Sequence, residues 1–262
     1  QVPAKHYFAT WRTLPATCDW SWHEQQPVGV TRNYLGIDVY EGAYTYRGMH
    51  IVPGWGGSMF EALMPDVFVP EETWAPRSWG VNHRLTVRAH REHGLQEAKY
   101  GYWGFSPASD PAVYRGYSEW GVDAIGLNPE GYYSDVERTN YDKGFGDCRE
   151  GTNPSPDFGD GVITPHALFL AMHHEPRNAF NNLVKVQREL GAYGQGGFYD
   201  AVAVGSGRIA KRYLSLDQAM IMGSIGNIFG RNVIRRYFAT GDVRRRIKPL
   251  IGMEQFGAGL VR

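Results

Sequence analysis

The 262-residue chain carries 27 Lys plus Arg against 27 Asp plus Glu, a formal net charge of zero. That balance excludes the global positive field of a nucleic-acid binder, and no apolar run reaches the ~20 residues of a membrane helix. The length suffices for one large domain with a well-buried core, and residues 1–262 are read as a single domain.

Residues 1–53 read as an irregular lead-in with one strand-like patch, TYRGMHIVP. In GGSMFEALMPDVFVP, Ser58 is placed to cap a short helix carrying Met59, Phe60, Leu63 and Met64, limited by Pro65. Residues 75–93 predict a longer amphipathic helix, with Pro76 near its first turn and Gly94 beyond its end. A long loop opens at YGYWGFSPASDP and continues through EWGVDAIGLNPEGYYSD. Residues 132–162 are polar and acidic, with a length that marks function or mobility. Asp135, Asp142, Asp147, Asp157 and Asp160 fit no standard calcium-loop spacing. Thr164-Pro165 then opens a helix as cap and first residue, Pro176 opens another, and Ser215 caps a third. Asn232–Phe238 is taken as the last helix, and Arg235, Arg236, Arg244, Arg245 and Arg246 as its solvated face.

The loop between the paired helices, GQGGFYDAVAVGSG, joins glycines, aromatics and one carboxylate, Asp200. Aromatics make up 14% of the chain, beside 33 glycines, which suits flat ligands such as sugars whose C–H faces stack on rings. Sugar hydrolysis needs two carboxyl groups, one protonated and one ionised. Acidic residues in apolar loops qualify, because an apolar surround raises a carboxyl pKa. Four stand out: Asp200, Glu61, Glu119 and Asp123. Asp217 reads as a structural carboxylate in the first turn of a helix. Trp55, Tyr102, Trp103, Trp120 and Tyr199 are the aromatics nearest these loops. His166 is a further sugar contact or a cap, with Arg77 and His83 weaker choices. No metal or cofactor is expected: HExxH, CxxC, P-loop and dinucleotide motifs are absent, and His173-His174 read as capping or solvated.

GWGGSMFEALMP, SWGVNH, YGYWGFSPASDP, WGVDAIG, DGVITPHALFLAM, GAYGQGGFYDAV and RYLSLDQAMIM occur in that order. Together they resemble the bacterial glucoamylase-like family, whose members include endo-β-1,2-glucanases and the transglycosylation domain of cyclic β-1,2-glucan synthases. The resemblance runs from about residue 30 to 240. It implies an all-α fold, an (α/α)6 toroid with an aromatic-lined groove, of which this chain holds the C-terminal portion. The first hairpins are then expected on a missing segment or on an N-terminal fragment of the same precursor. By resemblance, Asp200 matches a catalytic position and Glu61 a groove residue. Pro107 stands where cyclic-glucan relatives carry a glutamate, which leaves the general acid to Glu119, Asp123 or Asp110. The expected function is hydrolysis of a β-linked glucan, β-1,2-glucan first. The alternatives are transglycosylation and a non-catalytic carbohydrate-binding or export-accessory role. A chain starting at Gln1 without Met reads as trimmed, by a cleaved export signal or a chosen boundary. A periplasmic or extracellular location is expected. There Cys18 and Cys148 can pair, whereas in the cytosol they remain thiols.

Overall fold

The structure, a computed structural model, describes residues 3–10, 12–13, 25–127 and 158–261. Cys18, Cys148, Asp135, Asp142, Asp147 and Asp157 lie outside the described residues, so the expectations placed on them are not addressed. After α1 (Lys5–Phe8) come β1 (Val28–Tyr34), β2 (Ile37–Tyr46) and β3 (Met49–Ile51). Next are α2 (Met59–Leu63), α3 (Glu71–Trp74), α4 (Trp79–Glu92), β4 (Ala108–Ser109) and β5 (Tyr117–Ser118). Then follow β6 (Val162–Ile163), α5 (Pro165–Ala171), α6 (Pro176–Glu189), β7 (Tyr193–Gly194), β8 (Gly197–Phe198), β9 (Ala201–Ala203) and β10 (Ile209–Ala210). The described chain closes with α7 (Ser215–Phe229), α8 (Val233–Phe238), α9 (Gly241–Met253) and β11 (Gly259–Leu260).

Of the described residues, 43% are helical and 18% lie in strands, which overturns the expected all-α toroid. An antiparallel sheet of order β1-β2-β3-β11 and another of order β10-β9-β6 accompany the helices. The irregular lead-in is therefore partly sheet. Its two hairpins turn through Leu35-Gly36 and Arg47-Gly48, all four at positive φ, between 46° and 81°. Paired left-handed residues match the twist of a two-residue hairpin, a turn that Asn-Gly or Asp-Gly would have advertised. β1 is exposed at nearly every residue, so it has no alternation to detect. The strands near the site are two or three residues long, too short for any period.

The helices follow the sequence more closely. Ser58 accepts from the Glu61 amide at 3.3 Å and starts α2 as expected. The 75–93 helix begins at Trp79, leaving Pro76 in the preceding turn. Pro165 opens α5, yet Thr164 does not cap it: its hydroxyl donates to Gly104 O at 3.3 Å. Ser215 lies inside α7, and Leu214 takes the cap position. α8 is not last, because α9 follows, with Pro249 inside it. Arg236, Arg244, Arg245 and Arg246 are solvated, but Arg235 is 4% exposed and ion-paired.

A main core joins most of these elements, and two smaller clusters hold α3 with α9 and α1 with β1 and β2. Met59, Leu63, Val87, Trp103, Phe105, Ile163, Leu168 and Val202 are each no more than 1% exposed. α5 lies at its centre, packed on α2, α6 and α7. Burying side chains of this size contributes about 1.5–3 kcal/mol each. That burial holds the short strands in place, since two-residue pairs have little stability alone. Among the described residues no helix is long and apolar enough to cross a membrane.

Candidate active site

Asp200 ends the turn between β8 and β9. β6 pairs with β9 so that Val162 faces Ala203 and Ile163 faces Val202. Continuing that register sets Asp200 across from the first turn of α5, where His166 sits. On its other side Asp200 donates its amide to Arg212 O at 3.1 Å. Five residues later, the first turn of α7 delivers Asp217. From a third direction, Ser109 of β4 donates its amide to Asp200 Oδ2 at 2.7 Å. Its cross-strand partner on β5 is Tyr117. Three chain segments far apart in sequence thus converge on one buried carboxylate, 2% exposed.

The charges are unevenly shared. Asp217 is also 2% exposed, and Asp200 is within hydrogen-bonding reach of it. Burial, that hydrogen bond and the charge of Asp200 raise Asp217 to about 8. A carboxylate in the first turn of a helix gains only about 0.3–1 kcal/mol from the dipole, and here burial and a like charge outweigh it. His166, 1% exposed, is lowered by burial to about 4, although the charge of Asp200 resists. Its Nδ1 lies 3.7 Å from Asp217 Oδ2. A neutral imidazole facing a protonated carboxyl is not an ion pair. The Tyr117 hydroxyl rises to about 12 through desolvation and the charges of Asp217, Glu119 and Asp200. Glu119, although exposed, is raised by desolvation and the charge of Glu61.

Glu61 is set by a glycine clamp. Its Oε2 accepts from the Gly56 amide at 3.1 Å. The Gly54–Gly57 loop is pinned to the segment after Trp120: Val122 N donates to Gly57 O at 3.1 Å, and Leu127 N to Gly54 O at 2.7 Å. His90 holds the same loop from behind. It is fully buried, and burial lowers it to about 3, so the ring stays neutral. Nδ1 accepts from Phe105 N at 3.4 Å, which leaves Nε2–H to donate to Gly57 O at 2.9 Å. A Cβ at Gly121 would stand 1.9 Å from Gly56 O. Gly121→Ala is expected to cost about 1–3 kcal/mol, read as a lower urea midpoint, and to loosen the loop that aims Glu61.

The other sequence candidates divide. Trp55 is 46% exposed in the loop beside Glu61, while Trp120 is buried. Tyr199 is half-buried against Tyr213, ring centroids 5.4 Å apart. Tyr102 and Trp103 belong to the core: the Tyr102 hydroxyl donates to Glu189 on α6 at 2.7 Å, and Trp103 O accepts from Asn182 at 2.8 Å. Asp123 is buried in the turn Asp123–Ile125, and none of the shifts at Tyr117, Glu119 or Asp217 comes from it. Asp110 caps its own turn through the amides of Ala112 and Val113. His83 is buried against Glu71 at 3.0 Å, and Arg77 reaches Gly252 O. The loop glycines serve tyrosines. A Cβ at Gly194 would stand 2.3 Å from Tyr199 Oη, and one at Gly196 2.9 Å from the Tyr213 ring. Tyr117 escaped the sequence reading, and Asp217, read there as a structural carboxylate, belongs to the site. The missed signal is positional, Tyr117 two residues before Glu119.

Two groups among the described residues have ligand atoms close enough for a cation: Asp66–Glu71–His83 and Asp66–Glu72–His173. Both centre on Asp66, and the Arg235 guanidinium already occupies it, with Nη2 at 2.7 Å from Asp66 Oδ2 and Nη1 at 2.7 Å from Glu72 Oε1. His174, expected to cap or face solvent, instead has Nε2 3.2 Å from Asp66 Oδ2.

Known proteins resemble this chain in sequence and in fold. Over 204 residues the chain is 27% identical to the cyclic β-(1,2)-glucan synthase NdvB of Rhizobium meliloti, covering 72% of this chain and 6% of that protein. An endo-β-1,2-glucanase from Chitinophaga pinensis, solved with sophorotriose and glucose, superposes at TM-score 0.56 and 17% identity. That match covers 95% of this chain and 50% of the other. A β-1,2-glucanase from Parabacteroides distasonis matches at TM-score 0.57 and 16% identity, over 81% of this chain and 27% of that one. The chain thus spans half or less of the length of these relatives. A family model, Glycoamylase ("Putative glucoamylase"), matches residues 27–240, most of the sequence, and the chain belongs to that family.

Proposed function

We propose that this chain carries the site of a glucan-acting glycoside hydrolase, with Asp200 as the ionised carboxylate and Glu119 as the proton donor. One observation carries the reading: Ser109 holds Asp200 Oδ2 at 2.7 Å, and its cross-strand partner Tyr117 lies two residues before Glu119, so one strand pair brings both carboxyl groups together. Glycosidic cleavage needs one carboxyl group that holds a proton and one that does not. Glu119 is raised toward the protonated form and is open to solvent, where a leaving oxygen can reach it. The Ser109 amide donates to Asp200 Oδ2 at 2.7 Å and fixes the direction of that carboxyl group. Water activation and attack on C1 both need a negative oxygen, and both fall to Asp200. Exposed Tyr117 and Trp55 offer ring faces for sugar stacking.

β-1,2-Glucan is the first substrate to try, because relatives of this family are named for it. A polymeric glucan also fits the expected periplasmic or extracellular location. The purified chain is incubated with β-1,2-glucan, sophorotriose, and β-1,3- and β-1,4-glucans, and new reducing ends are counted. Release from β-1,2-glucan alone supports the reading. Calorimetric binding of glucan with no release from any of them would replace it with the accessory role. Transglycosylation is the second reading, favoured by the match to a glucan synthase. It predicts products longer than the substrate at high sophorotriose concentration.

A further inference from the structure

Asp217 is absent from the two-carboxylate chemistry above, yet it is the ionisable group most tightly joined to Asp200. Asp200 Oδ2 is satisfied by the Ser109 amide at 2.7 Å, but Oδ1 is buried with no donor among the described residues. Asp217 Oδ2 is buried in the same condition. His166, on α5, has both ring nitrogens buried without a hydrogen-bond partner among the described residues, and its Nδ1 is 3.7 Å from Asp217 Oδ2. A buried acceptor with no donor costs roughly 1–3 kcal/mol, and a buried unpaired charge costs more. Two carboxyl groups in hydrogen-bonding reach have one economical solution, a single proton between them.

We propose that Asp217 is a positioning residue for Asp200: the two carboxyl groups share one proton, which resides on Asp217 and is donated to Asp200, so that Asp200 works as a lone, oriented carboxylate. The inference deepens the hydrolase reading and rests on it for its catalytic consequence.

Among the described residues, the neighbours of Asp217 support this placement of the proton. On α7 itself, Gln218 turns away to Phe198 O at 3.3 Å and offers Asp217 nothing. From α5, His166 is neutral above about pH 4, so it supplies no cation that would ionise Asp217. From β5, Tyr117 is raised to about 12 and stays protonated. Glu119 acts on Tyr117 and is not among the groups that shift Asp217. Asp200 holds a backbone amide that Asp217 lacks, and an amide donor favours the ionised partner. The consequence is a working limit. As pH rises through about 8, Asp217 ionises, the donor to Asp200 is lost, and two like charges face each other in a buried pocket.

Asp217→Asn tests this, because an amide donates to Asp200 at every pH and cannot ionise. Three readouts are taken. The first is infrared absorption of protonated carboxyl groups. The wild-type spectrum minus that of Asp217→Asn should show one carboxyl C=O band at pH 7 that fades as pH passes about 8. Subtraction is needed because Glu41, raised mainly by burial to about 7, contributes a band of its own. The second is stability against urea. The folded Asp217 carboxyl has a pKa of about 8 against 3.8 in the unfolded chain. It therefore holds its proton more tightly when folded. Its contribution to stability is present at low pH and declines as pH rises through that window. Asp217→Asn should remove that part of the slope. The third is turnover. The wild-type kcat should have a basic limb near pH 8. Asp217→Asn should keep kcat within about tenfold at pH 6.5, with KM unchanged, and should lose the decline near pH 8 while keeping the one that deprotonation of the donor Glu119 imposes. Asp217→Leu, which lacks any donor, should lose at least about 100-fold in kcat.

No carboxyl band in the difference spectrum would overturn the proposal, since Asp217 would then be ionised at neutral pH. An unchanged basic limb in Asp217→Asn would overturn it as well. So would Asp217→Asn being as inactive as Asp200→Asn, which would make Asp217 the proton donor to substrate. If no glucan is cleaved at all, the hydrolase reading fails, while the infrared and urea measurements still decide where the proton sits.

Discussion

Asp200→Asn is expected to lower kcat on the preferred glucan by about 100-fold to 10,000-fold, the range supplied by one positioned proton-transfer group. The asparagine keeps the shape of the side chain and its Oδ can still accept from the Ser109 amide. It loses the negative oxygen that activates water or attacks C1. Circular dichroism and melting temperature should stay close to wild type. Asp200→Asn removes a buried charge beside an Asp217 that keeps its proton at neutral pH, so stability is expected to hold or rise. Reducing-end release is measured with both proteins at the same folded concentration. Wild-type turnover in Asp200→Asn would remove Asp200 from the chemistry and leave Glu61 and Glu119 as the remaining pair.

Arg235→Met is expected to cost about 3–5 kcal/mol of stability, the loss that follows when one partner of a buried ion pair is removed. The Arg235 side chain is 5% exposed and that of Asp66 3%. One guanidinium donates to Asp66 Oδ2, to Glu72 Oε1 and to Asp66 O, each at 2.7 Å. Burial alone would raise Asp66. The hydrogen bond with His174 and the charge of Arg235 outweigh it and hold the carboxyl far below its usual range. The pair thereby ties α8 to the turn after α2, across 169 residues of sequence. Removing the arginine strands a negative charge in the core. Urea unfolding at pH 7 reads the loss. Asp66→Leu combined with Arg235→Met should recover part of it, because an apolar pair needs no counter-charge. A loss below about 1 kcal/mol in the single variant would show that water reaches Asp66 without unfolding.

The site was partly legible before any coordinates. Asp200 was marked by its place behind Phe198 and Tyr199 and ahead of an apolar run, and the structure finds it 2% exposed. Glu61 and Glu119 were marked as acids in glycine-aromatic loops, and they prove close enough for one to shift the other. Tyr102 and Trp103 carried the same local signature but sit in the core. An aromatic beside glycine looks alike whether it lines a groove or fills an interior, and only the helix packed against it decides. Asp217 was misjudged for a related reason. In isolation, a carboxylate in the first turn of a helix is a capping charge. Its chemistry depends on Asp200, seventeen positions back, lying within hydrogen-bonding reach of it.

The sequence alone determined the features set by short-range physics. Pro165 and Pro176 begin helices because a fixed φ and a missing N–H cost nothing there. The stripe Ala179, Leu183 and Val186 buries one face of α6 because its spacing matches the helical period. The ordered blocks from GWGGSMFEALMP to RYLSLDQAMIM identified the family. Tertiary structure alone decided the sheets, the burial of Arg235 and the meeting of Asp200 with Asp217 and His166. Strands of two or three residues form because the core clamps their ends, and no local period announces them. Pairing of buried charges is likewise settled by which chains cross in space, since a carboxyl group's proton answers to neighbours within a few ångströms, whatever their distance in sequence.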